Sequence, residues 1–69
     1  MPEYCAAIID RLIEERHNKG MTQRDLAEAA NLPQAAIGRL ESKKHAPQLD
    51  TLMKVAQALQ CDITVVSRV

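Results

Sequence analysis

"TQRDLAEAANLPQAAIGRLESKKHAP", residues 22–47, holds a polar cap, two stretches with helical apolar spacing, a break between them and a closing run of basic residues. Thr22 reads as a helix N-cap. Asp25, three residues on, completes a capping-box pattern with Asp in place of the commoner Glu or Gln. A helix of about eight residues should follow, burying Leu26, Ala27 and Ala30. Asn31 tolerates the left-handed backbone that a sharp bend needs, and Pro33 suits the first turn of a new helix. That helix is expected from about Pro33 to Ser42, with Ile37 and Leu40 turned inward. Ala46-Pro47 then forces extended backbone.

Upstream, from Tyr4 to about Asn18, apolar residues fall at Tyr4, Ile8, Ile9, Leu12 and Ile13, while Asp10, Arg11, Glu14 and Glu15 occupy the other face. Gly20 supplies a left-handed C-cap for that helix. Downstream, Leu49, Leu52, Met53, Ala56 and Leu59 share one face of a last helix reaching about Gln60. The tail "DITVVSRV", residues 62–69, changes period: Ile63, Val65, Ser67 and Val69 alternate with Thr64, Val66 and Arg68. It reads as a short β-strand with no partner strand elsewhere in the chain. An unpaired edge invites a second copy, paired antiparallel about a two-fold axis, with Ile63, Thr64, Val65, Val66 and Ser67 as dimerisation residues. The alternative is a strand lying back on its own helices, or a frayed end.

The resulting expectation is a single domain over residues 1–69. It is all-α, a compact bundle of four to five helices with a C-terminal strand. Composition agrees. Of 69 residues 46% are apolar, yet the one aromatic is Tyr4, so the core must be built from Leu, Ile, Val, Met and Ala, a mix that favours packed helices. No apolar run approaches the roughly 20 residues needed to span a bilayer, and no basic leader precedes an apolar segment. A soluble, cytoplasmic protein without a membrane partner is expected. Cys5 and Cys61 lie far apart with no CxxC or Cys/His spacing, which points to two reduced thiols; no metal and no cofactor are expected.

Net charge is zero, but it is unevenly distributed. Residues 1–32 carry six acids and four Lys/Arg, whereas in 33–54 Arg39, Lys43, Lys44 and Lys54 outnumber Glu41 and Asp50. Positive charge gathers where the opening stretch ends. Enzyme readings find little support: there is no Gly-rich phosphate loop and no HExxH, and His17 and His45 fall in helix-end or loop positions. The chain is read as not an enzyme.

Two short helices joined by a turn of three or four residues, with a small residue at the close contact, form a helix-turn-helix unit that can set its second helix in a DNA major groove. Ala27 is that close-contact residue and Asn31 the turn. Here the chain resembles the XRE family of DNA-binding regulators, the phage-repressor and Cro type. The resemblance covers residues 4–60, including "MTQRDLAEAANLPQAAIGRLESKKHAPQLDTLMKVAQAL", and follows the order T-Q-x-x-L-A, I-x-x-L-E, P-x-x-x-x-L-x-x-[IV]-A-x-A-L. Asn31 stands where the family commonly has Gly, and Lys43 where a second Gly is usual.

The resemblance implies a DNA interface built from Gln23, Pro33, Gln34, Ala35, Gly38, Arg39, Ser42, Lys43 and Lys44. Gln34 can pair bidentately with adenine and Arg39 with guanine, while the Ala35 methyl suits a thymine methyl. Gln23 resembles a phosphate-contacting glutamine at a helix N-terminus, and Ser42, Lys43 and Lys44 would line the DNA backbone. Plainer roles stand beside these: Arg39 in a surface ion pair, Gln34 as a helix-start polar residue, the lysines as solubilising charge. Glu41 is expected to tie its helix to an internal basic group, Arg11 or Arg16.

The implied function is a sequence-specific, homodimeric transcriptional regulator, a repressor of a palindromic double-stranded DNA operator. The runner-up is an antitoxin of the HigA and HipB kind, binding a toxin protein and repressing its own operon. A restriction-modification controller has a similar size and helix set.

Overall fold

The computed structural model describes residues 1–69 and contains α1 (Glu3–Asn18), α2 (Gln23–Ala30), α3 (Gln34–Ser42) and α4 (Leu49–Ala58). The four helices account for all its regular structure. Local chemistry sets their ends. Thr22 Oγ1 accepts the Asp25 N–H at 3.0 Å while Asp25 Oδ2 accepts the Thr22 N–H at 2.9 Å, so the capping box forms with Asp as its acid. Those bonds favour the ionised acid. The Thr22 backbone N–H, helped by its hydroxyl, holds the Asp25 carboxyl below its ordinary range. A Thr cap of this kind contributes about 1 kcal/mol.

Three helices stop in the same way. Gly20, Asn31 and Gln60 have φ of 67°, 56° and 57°, and the N–H after each reaches back five residues: Met21 to Arg16 O, Leu32 to Ala27 O, Cys61 to Ala56 O. This is the Schellman closure, which satisfies carbonyls that the helix leaves unpaired. α3 ends differently, on Lys43 at φ 60° with its N–H on Leu40 O at 3.3 Å. A residue with a Cβ in that conformation is disfavoured, which is why glycine is the usual choice there.

The core takes Ile9 and Leu12 from α1, Leu26 and Ala27 from α2, Ile37 and Leu40 from α3, and Val55 and Ala56 from α4, with Leu59 just beyond it. Burying each of the larger side chains contributes roughly 1.5–3 kcal/mol before conformational entropy is counted. α2 sits centrally, packed on both α3 and α4. Ala27 is buried at this centre, where overpacking by a larger side chain would be destabilising.

Several expectations need correction. The four helices fall within the four to five expected, but α3 begins at Gln34, with extended Pro33 as its N-cap (φ −63°, ψ 146°). The apolar stripe of α4 is Leu52, Val55, Ala56 and Leu59, with Met53 half-buried at its border. Leu49, one turn earlier, overhangs the body at 72% exposure, while Val55 is sealed. Tyr4 and Ile8 on the first turns of α1 are exposed as well, Ile8 lying beside Leu49 at the edge of a shallow apolar pocket.

The C-terminal strand is absent. Residues 62–69 have no secondary structure: a strand exists through its ladder of backbone hydrogen bonds, and this chain holds no second strand to complete one. Cys61 and Ile63 pack on the core, whereas Thr64, Val65, Val66 and Ser67 are exposed, Val65 at 96%. No helix is long and apolar enough to cross a membrane.

Candidate nucleic-acid interface

Asn31, Leu32 and Pro33 form the link between α2 and α3. With Ile37 and Leu40 buried against the body, the opposite side of α3 carries Gln34, Ala35, Gly38, Arg39 and Ser42. Gln34, Ala35 and Arg39 are exposed, and Gly38 is half-buried. Neither the Gln34 side chain nor the Arg39 guanidinium makes any hydrogen bond or ion pair within the chain. Their polar groups are therefore free for an external partner. A helix is about 10–12 Å across with its side chains, which a major groove about 12 Å wide accommodates.

Behind this face lies a buried ionic cluster. Arg16 is 8% exposed; its Nε donates to Glu41 Oε2 at 2.7 Å, Nη2 to Glu41 Oε1 at 3.0 Å, and Nη1 to the Met21 carbonyl at 2.8 Å. Gln23 Nε2 donates to the same Glu41 Oε1 at 3.0 Å. Three elements thus meet at one carboxylate: the end of α1, the first turn of α2 and the end of α3. The geometry is the bidentate fork that makes arginine the preferred buried partner of a carboxylate. Arg16, rather than Arg11, is the internal base; Arg11 stays outside, paired with Glu15 at 2.8 Å. Glu15 also receives Lys19 at 3.2 Å, and the Lys19 hydrogen bond, ahead of the charge of Arg11, draws its carboxyl below the ordinary range.

The cluster changes the charge presented by α3. Glu41 is neutralised inside, so Arg39 and Lys44 dominate the outer end of the helix. Lys43 Nζ is held by Asp10 of α1, which ties the α3 C-terminus back to the body. The Ser42 hydroxyl donates to the Arg39 carbonyl at 2.7 Å, so it closes the last turn of α3. Gln48 and Thr51 flank Arg39 across a shallow notch formed with Ala46 and Pro47. These two polar residues lie outside the two-helix unit, and no spacing rule within that unit points to them. Ala7, Ile8 and Leu12 of α1 form an open groove with Cys61 and Ile63, edged by Arg11, Glu15, Asp62 and Thr64. No group of His, Cys, Asp and Glu is arranged to hold a metal ion, and both cysteines are free and half-buried.

The helix-turn-helix family pattern matches residues 12–66, from the middle of α1 into the tail. An uncharacterized HTH-type transcriptional regulator from Haemophilus influenzae is 33% identical over 60 residues, which is 87% of this chain and 61% of that relative. The chain therefore spans about 61% of the length of the curated relative that it matches. Both similarities run through the capped α2, the Asn31 turn and α3. The chain belongs to the XRE-type helix-turn-helix family.

Proposed function

We propose that the chain is a sequence-specific double-stranded DNA-binding regulator of transcription that acts as a homodimeric repressor, with α3 lying in the major groove. The observation that carries this reading is the outward face of α3: Gln34 and Arg39 are unpartnered and exposed, on a helix pinned from behind by a buried ion pair. Gln34 reads adenine and Arg39 guanine, while the Ala35 methyl meets a thymine methyl between them. Pro33 fixes the angle at which α3 enters. Lys44 positions the backbone, and Gln23 at the α2 N-terminus contributes through the amide hydrogen that its bond to Glu41 leaves over. Lys43 must leave Asp10 to reach a phosphate, and Ser42 must give up its helix-closing bond, so both are weaker contributors than Lys44. Selection of bound duplexes from a random pool tests the reading.

One recognition helix reads only a few base pairs, so a second copy is needed for operator-level specificity. The tail supports self-association. Val65 and Val66 are exposed, following Thr64 at the edge of the open groove in sequence, and residues 62–69 have backbone groups free to form a ladder with a copy of themselves. Association would create the strand that the single chain lacks. A chain ending at Cys61 is expected to be monomeric at micromolar concentration by analytical ultracentrifugation, and residues 1–69 dimeric. Equal dimerisation of both would remove the tail from the interface.

A further inference from the structure

Gly38 stands in the middle of α3 with ordinary helical backbone, outside the left-handed region that would require glycine. A glycine there weakens the helix relative to alanine. The packing does not call for it either. A Cβ built at Gly38 would meet one neighbouring heavy atom within 4 Å, Gln23 Oε1 at 3.9 Å, an ordinary van der Waals distance. The fold would therefore accept alanine, yet the position lies on the outward face of α3, one turn beyond Gln34 and Ala35. Gln23, its one near neighbour, is held in place by Glu41.

We propose that Gly38 sets how deeply α3 seats in the DNA, its bare Cα coming into direct contact with the duplex beside Gln23. This rests on the DNA-binding reading above and gives the glycine a specificity role within it. The side chains of Gln34 and Arg39 have fixed lengths. A substituent at Gly38 would hold α3 away from the groove floor and lengthen their hydrogen bonds to base edges, whereas Lys44, on a flexible stem, would still reach phosphates. Specific binding would suffer more than non-specific binding. Gly38 acts on recognition through the two readers, so it is a positioning residue.

The test compares the full chain with Gly38→Ala and Gly38→Gln on the duplex that the wild-type chain selects from random DNA and on a random duplex of equal length, alongside thermal unfolding. Gly38→Ala is expected to raise Tm by roughly 2–8 °C. Its affinity for the selected duplex should fall on the order of tenfold, and further for Gly38→Gln, with little change on the random duplex. A lowered Tm for Gly38→Ala would show that the fold itself needs the glycine and would overturn the proposal. So would undiminished affinity of both variants for the selected duplex, while the DNA-binding reading would stand on the wild-type selection. If the wild-type chain selects no duplex, that reading fails, and the role of Gly38 with it.

Discussion

Glu41→Ala should leave the chain largely unfolded at 25 °C. The substitution strips the Arg16 guanidinium of both carboxylate bonds and leaves it buried on the Met21 carbonyl, with His17 Nε2 at a long 3.4 Å. Removing one partner of a buried pair costs about 3–5 kcal/mol, because the other charge stays behind without compensation. A single small core supplies a net stability of similar size, about 3–5 kcal/mol. The loss thus consumes nearly all of it. Gln23 also loses its acceptor, so the first turn of α2 loosens from α3. Replacing both charges, in Arg16→Met with Glu41→Leu, should recover much of the stability, since the desolvation penalty of two ions disappears together. Urea unfolding followed by helical circular dichroism reads both variants against the wild type. A Glu41→Ala midpoint equal to that of the wild type would mean that the pair does not hold the fold.

Arg39→Ala should weaken binding to the selected duplex by about 1–3 kcal/mol, roughly fivefold to 150-fold, with little change on random DNA. Arg39 has no ion-pair partner inside the chain, so its removal strands no charge and the fold should keep its Tm. That separates it from Glu41, where stability and binding would fall together. Fluorescence anisotropy at fixed salt on both duplexes decides the matter. Equal losses on the two duplexes would make Arg39 a phosphate contact, and no loss on either would remove it from the interface.

Much of this architecture was legible because its signals are local. Thr22 with Asp25, Gly20, and Asn31 before Pro33 each impose a backbone conformation within a few residues, and the helix ends fall where they predict. The inward residues of the two-helix unit follow from 3.6-residue spacing, since both helices are short and pack along their whole length. At the first turns of α1 and α4 the same spacing misleads: Tyr4, Ile8 and Leu49 continue the apolar pattern at exposed positions. Val55 falls outside the expected stripe of Leu49, Leu52, Met53, Ala56 and Leu59, although it completes the core with Ala56 and Leu59. Spacing could not choose between Arg11 and Arg16 as the partner of Glu41, since that choice depends on how α1 lies against α3. Alternation in the β-branched tail describes what a segment can pair with, and the pairing itself must come from outside residues 62–69.

At the site, the exposed positions of Gln34, Ala35 and Arg39 follow directly from the burial of Ile37 and Leu40. The inward bond of Gln23, the tether of Lys43 to Asp10 and the closing bond of Ser42 do not, because each is a side-chain choice made in three dimensions.

Selection of bound duplexes from a random pool by the full chain tests the central claim most directly. Enrichment is expected of one motif with two inverted half-sites about 34 Å apart, carrying adenine and guanine at positions where binding depends on Gln34 and Arg39. A pool that stays random after repeated rounds at physiological salt would contradict it.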